Sequence, residues 1–112
     1  IPFTTFLSYV ESEPEGRRDH HWDAQHAVLL MHRLRYERFF RMEGEFTDGL
    51  RQIFARIGLA GPAVERALTQ QRNVSPRSEP PVYTPELAAR VHRLYGRDFE
   101  LFGYAEESWQ GL

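Results

Sequence analysis

The sequence predicts the mostly helical portion of an α/β protein, with four or five helices and one or two short strands. Three observations carry this. Apolar residues recur at helical spacing in several segments that start near capping residues and stop at glycine. One segment, Tyr36 to Met42, is instead rich in strand-forming side chains. One or two strands cannot hold a sheet alone, so their ladder partners are expected outside these 112 residues. The chain is read as a single partial domain, 1–112, with 105–112 as a frayed tail.

The elements follow in order. "FTTFLSYVES" places Phe3, Phe6, Leu7 and Val10 at helical spacing, with Thr4 or Thr5 as the cap. "EPEGRRD" combines proline, glycine and charge, which makes it a loop. "AQHAVLLM" is a helical turn or a short buried strand, its composition favouring the helix. Tyr36 to Met42 is the expected strand. "FTDGLRQIFARIGL" is a helix capped by Thr47, with an apolar stripe of Leu50, Ile53, Phe54 and Ile57 and a stop at Gly58. "GPAVERALTQQ" is a shorter helix with Pro62 in its first turn. "RNVSPRSEPPVY" has three prolines and no apolar period, so it reads as an extended loop. The last helix starts at Thr84, Pro85 and Glu86 and carries Leu87, Val91, Leu94 and Tyr95 inward. It is expected to bend near Gly96 and to end at Gly103.

Composition removes several chemistries. Cysteine is absent, which excludes disulfides, thiolate metal sites and cysteine nucleophiles. All fourteen basic residues are arginine. No lysine amine is present for Schiff-base or general-base work, whereas guanidinium groups suit phosphate and sulfate oxygens. A net charge of −2 gives no global basic field for nucleic acid. No apolar run reaches the length of a membrane span.

Three clusters could carry chemistry. "DHHWDAQH" holds Asp19, His20, His21, Asp23 and His26. His21 and His26 are five apart, not the four that puts two ligands on one helix face, so no metal site is expected. The plainer expectation is a turn in which Asp19 or Asp23 bonds backbone amides and Trp22 packs down. A separate alternative puts His20 or His21 on the wall of an active site. Arg41 and Glu43, two apart, would share one face of the strand, with Glu43 at its end. The alternative for this pair is a structural contact or a helix-start bond. Arg72, Asn73, Ser75 and Arg77 combine two guanidinium groups with hydroxyl and amide donors, a composition that suits a phosphate cradle or, equally on spacing alone, a solvated surface loop. No Walker-type, nucleophile-elbow or dinucleotide motif is present.

Read together, these segments resemble the C-terminal part of carbohydrate-type sulfotransferases, the Golgi and bacterial family. His21, Trp22 and Gln25 match a His-Trp-x-x-Gln turn, although Ala24 stands where members usually carry proline. Arg41, Glu43 and Ile57 to Leu59 match an Arg-x-Glu strand end and an Ile-Gly-Leu helix stop. The most specific match is "YGRDFELFGY", through Tyr95, Asp98, Phe99, Phe102, Gly103 and Tyr104. The resemblance implies a P-loop-NTPase-like α/β fold. It also implies transfer of a sulfuryl group from 3′-phosphoadenosine-5′-phosphosulfate (PAPS) to a hydroxyl or amine of an acceptor, with a carbohydrate as one candidate. It implies that Arg72, Asn73, Ser75 and Arg77 close over the nucleotide and that His20, His21 and Glu43 face the acceptor. In the final motif the resemblance implies packing: Tyr95, Phe99 and Phe102 against a sheet layer, Tyr104 folded back over the helix end, and Asp98 bonded to an arginine. The family's phosphosulfate loop lies nearer the N-terminus of its members, so these residues alone are not expected to be active. The competing expectation is a small helical module that binds a protein partner without catalysis.

Overall fold

The computed structural model describes residues 1–70 and 83–111. Its elements are α1 (Phe3–Ser12), α2 (Gln25–Val28), α3 (Met42–Arg56), α4 (Pro62–Thr69), α5 (Pro85–Phe102) and a closing 3₁₀ helix (Glu106–Gly111). The chain divides into two compact units. One takes Ile1–Glu37 and Pro80–Leu112, and the other Arg38–Glu79.

The expected strand does not form: no strand occurs among the described residues. Tyr36 to Arg41 is irregular, and Met42 already belongs to α3. A strand needs a neighbour to take its backbone groups, and none is described here. Local contacts act in its place. The Tyr36 hydroxyl donates to the Leu29 carbonyl at 2.8 Å, and the Arg41 amide donates to Glu45 Oε2 at 2.8 Å. The second of these is a helix-start bond, made to Glu45 and not to the Glu43 of the predicted pair.

In the first unit, α1 begins at Phe3 with Pro2 as its unbonded cap, earlier than the threonine caps predict. Pro2 fixes the helical approach, and its carbonyl takes the amides of Thr5 and Phe6. The other end is closed by Arg18, whose Nε donates to the carbonyls of Val10 (3.1 Å) and Glu13 (2.9 Å). Those carbonyls belong to the negative end of the helix, where a guanidinium is well placed. Leu7 and Val10 are buried. Trp22 packs edge-on against Phe6 and Tyr9, with centroids 5.7 and 6.2 Å away.

The last helix starts as its sequence predicts. Thr84 Oγ1 accepts the Leu87 amide at 3.2 Å, and Pro85 occupies the first turn. The bend falls at Tyr95 (φ −117°, ψ 20°), beside Gly96. At the far end Gly103 is left-handed (φ 69°), and the Tyr104 amide reaches back to the Phe99 carbonyl at 2.9 Å. The rings of Phe99 and Tyr104 meet edge-on at 6.3 Å. This is the Schellman closure, backbone bond and apolar contact together.

α1 and α5 are joined by a two-pronged ion pair. Arg90 Nε donates to Glu11 Oε1 at 2.8 Å and Nη2 to Oε2 at 2.6 Å, with Ser8 Oγ taking a further Nη2 bond. In the second unit α3 breaks at Glu43 and Gly44 (φ 80° at Gly44), so its regular part starts near Glu45 and Thr47 lies inside it, not at a cap. Phe40 lies directly on Gly49. Arg51 bridges to Glu65 at 3.2 Å and so ties α3 to α4. Gly58 stops α3 with φ 79°, and Pro62 opens α4, both as the sequence predicts. Of the apolar stripe, Leu50 and Phe54 are half-buried while Ile53 and Ile57 are exposed.

Candidate functional site

The site is best understood from Asp98 outward. This carboxylate is buried on α5, at 7% exposure. It accepts the amides of Gln25 (2.6 Å) and His26 (2.9 Å), the first two residues of α2, and also the His26 ring through Nδ1 at 2.8 Å. A helix start presents unpaired amides and positive partial charge, which a carboxylate satisfies. The sequence reading paired Asp98 with an arginine. It is corrected here: the partners are the start of α2 and an imidazole.

His26 is gripped from both sides, since its Nε2 lies 2.9 Å from Glu15 Oε1. Each ring nitrogen thus faces a carboxylate oxygen, an arrangement that favours the protonated ring, in which both nitrogens donate. Burial by itself lowers the pKa of this ring. The Asp98 hydrogen bond and the charges of Glu15 and Asp98 outweigh that and hold it above the ordinary histidine value.

Two further bonds fix the turn before α2. The Tyr95 hydroxyl donates to the Trp22 carbonyl at 2.6 Å; burial raises the pKa of this phenol. Asp23, also buried, accepts the amides of Gly16 (3.1 Å) and Ala24 (2.9 Å) through Oδ1. Asp19 accepts the His21 amide at 3.0 Å and faces His21 Nδ1 at 2.6 Å. That amide first, then the His21 ring, keeps the Asp19 carboxyl below its ordinary pKa. The expected capped turn, with Trp22 packed down, is therefore present. Ala24 is fully buried in it.

These bonds build an open groove of about 430 Å³, lined on one side by His21, Trp22, Asp23 and Gln25. The other side is Tyr95, Asp98, Phe99, Phe102 and Tyr104, with Ser108 at the rim. Its volume falls in the range of small-molecule sites, and its lining mixes aromatic faces with a few polar groups. The aromatic side was expected to rest on a sheet layer. Instead Tyr95 bonds the Trp22 carbonyl, Phe99 meets the edge of His92 at 4.9 Å, and Phe102 faces the groove.

The predicted site residues fare differently. His21 lines the groove. His20 is its exposed neighbour, with ring centroids 4.1 Å apart. Glu43 belongs to the other unit, where it sits exposed at the break in α3 and not at a strand end. Arg72, Asn73, Ser75 and Arg77 lie outside the described residues. Sequence reasoning missed the double grip on His26. The only available signal was Asp98, an acid on the inward face of an amphipathic helix, which demands a polar partner.

The family model described as the sulfotransferase family matches residues 1–105. No curated protein and no solved structure matches the chain. No helix among the described residues is long and apolar enough to cross a membrane. The family match takes in the His21 turn, the Asp98 grip and the closing motif together, and on that extent the chain belongs to the sulfotransferase family.

Proposed function

We propose that the chain forms the acceptor side of an enzyme that moves a sulfuryl group from PAPS to a hydroxyl or amine, with a carbohydrate as the favoured acceptor. Membership of the family ties the chain to sulfuryl transfer in general. One observation carries the finer reading. The His-Trp-x-x-Gln turn and the Tyr95 to Tyr104 motif, over seventy residues apart, line the same groove. Its aromatic faces suit the C–H face of a sugar ring, and Asp23, Gln25 and Ser108 offer bonds to its hydroxyls.

PAPS supplies an activated sulfur: the acceptor oxygen or nitrogen bonds to it, the bond from sulfur to the phosphate oxygen breaks, and the nucleotide leaves as the 3′,5′-bisphosphate. The chain's own residues hold the acceptor and take its proton. His21 is the groove imidazole suited to this. Its Nδ1 faces Asp19 Oδ1 at 2.6 Å, which orients the ring and leaves Nε2 as the nitrogen to meet the acceptor proton. On the donor side, Arg72, Asn73, Ser75 and Arg77 are the residues proposed to close over the nucleotide. We further infer that the surrounding fold is P-loop-like and that the phosphosulfate loop, which has no counterpart motif in these residues, is supplied elsewhere in the enzyme.

The test is radiolabel transfer from PAPS to a panel of sugars and amines by the full gene product, beside His21→Ala and Arg72→Ala. The expected result is label on a sugar, with turnover reduced about a hundredfold or more by His21→Ala and donor affinity reduced by Arg72→Ala. Absence of both transfer and nucleotide binding would overturn the reading in favour of a non-catalytic helical module.

A further inference from the structure

We propose that Asp19, His20 and His21 form a binding site for a divalent transition-metal ion of borderline softness, with zinc as the reference. The spacing of His21 and His26 argued against a metal, and in the structure His26 is indeed committed to Asp98 and Glu15. A different set converges instead. One ligand atom from each of Asp19, His20 and His21 lies within 4.8 Å of the others. Asp19 Oδ1 stands 2.6 Å from His21 Nδ1 and 3.8 Å from His20 Nδ1.

Those two distances bracket the geometry an ion requires. With zinc bonds of about 2.0–2.1 Å, neighbouring donors of a tetrahedron stand about 3.3 Å apart. Oδ1 must move outward from one imidazole and inward to the other, each by well under an ångström, and side-chain torsions suffice. The two rings already lie nearly stacked, tilted by 33°. Both turn Nδ1 towards the same carboxylate. The backbone that carries them is held independently: the Asp19 carbonyl takes the amides of Trp22 and Asp23, and buried Asp23 holds Gly16 and Ala24. Ligands are thus presented on a fixed turn, which reduces the ordering cost of binding.

The donor set selects the class of ion. Two imidazoles and one carboxylate suit zinc and its neighbours. A single carboxylate is too poor in oxygen for calcium, and magnesium holds its waters too firmly. Three ligands leave a fourth position for water or another small ligand. A consequence follows for the proposed sulfuryl transfer, and it rests on that reading. Ligation at Nδ1 places the proton of a neutral His21 on Nε2 and removes the lone pair that proton acceptance needs, so bound metal inhibits.

The experiment titrates the protein with Co²⁺, followed by displacement with Zn²⁺, in the absence of donor and acceptor. The expected result is one ion per chain, with the visible absorption of four-coordinate cobalt. Affinity falls at least about tenfold in His20→Ala, His21→Ala and Asp19→Ala, judged against the second-shell losses seen at zinc sites. It is unchanged in His32→Ala and in the presence of Mg²⁺. Circular dichroism of each variant guards against loss of the fold. No saturable uptake, or uptake that survives the His20→Ala/His21→Ala double substitution, would overturn the proposal. Because binding is read without turnover, failure of the metal site and failure of the sulfotransferase reading are separate results.

Discussion

Replacing Asp98 with alanine removes three hydrogen bonds at one stroke: two from the amides that open α2 and one from the His26 ring. Bonds to a charged group contribute about 1.5–3 kcal/mol each, and three that share one carboxylate do not add in full. The Gln25 side of the turn is exposed, so water recovers part of the loss there. A local cost of about 3 kcal/mol is therefore expected, which corresponds to roughly a hundredfold change in an opening equilibrium. Native-state hydrogen exchange reads this directly. The amides of Gln25 and His26 should exchange about a hundredfold faster in Asp98→Ala, while those of α4, in the other unit, should not change. Asp98→Asn keeps the shape and one carbonyl acceptor and should lie between the two. If Gln25 and His26 keep their protection in the alanine variant, the carboxylate does not hold α2 to α5, and the account of how the groove is built is wrong.

Other outcomes follow from the same reasoning. His26 has a raised pKa in the folded state, so its contribution to stability is complete below its ordinary value of 6.5 and is lost as pH rises through the folded value. Thermal denaturation across that window should show a decline that His26→Gln abolishes. Gly49→Ala should destabilise the second unit by about 1–2 kcal/mol in denaturant titration. The new Cβ would lie 2.5 Å from Phe40 Cγ, and that overpacking exceeds the roughly 1 kcal/mol gained in helix propensity. Gly103→Ala should cost about 1 kcal/mol by the same assay, because a Cβ is strained at a φ of 69°.

The helices were legible because their signals are local. Thr84, Pro85 and Gly103 act within a few residues of themselves, and each does in the structure what its chemistry dictates. Tyr36 to Met42 shows the opposite case. Aromatic composition describes what a strand would contain, not whether a neighbour exists to pair with it. Here the Arg41 amide goes to the Glu45 side chain and not to a neighbouring strand. Thr47 failed as a cap for a related reason: Gly44 could take a positive φ, so the helical stretch began upstream of it. The turn around Trp22 was readable as a turn. The grip of Asp98 on α2 was not, because no periodicity links an acid to amides over seventy positions away.

That separation shapes how the first unit comes into being. Gln25 and Asp98 lie 73 positions apart, and an entire second unit is threaded between them. During synthesis the N-terminal piece leaves the ribosome well before its partner helix, so it waits unclosed with Trp22 and Phe6 accessible to chaperones. Once both pieces are present, the length of the intervening segment matters little, since doubling such a loop costs only about 0.6 kcal/mol. Evolution could lengthen, trim or exchange the threaded unit with little penalty to the groove, provided the two pieces that build it remain on one chain.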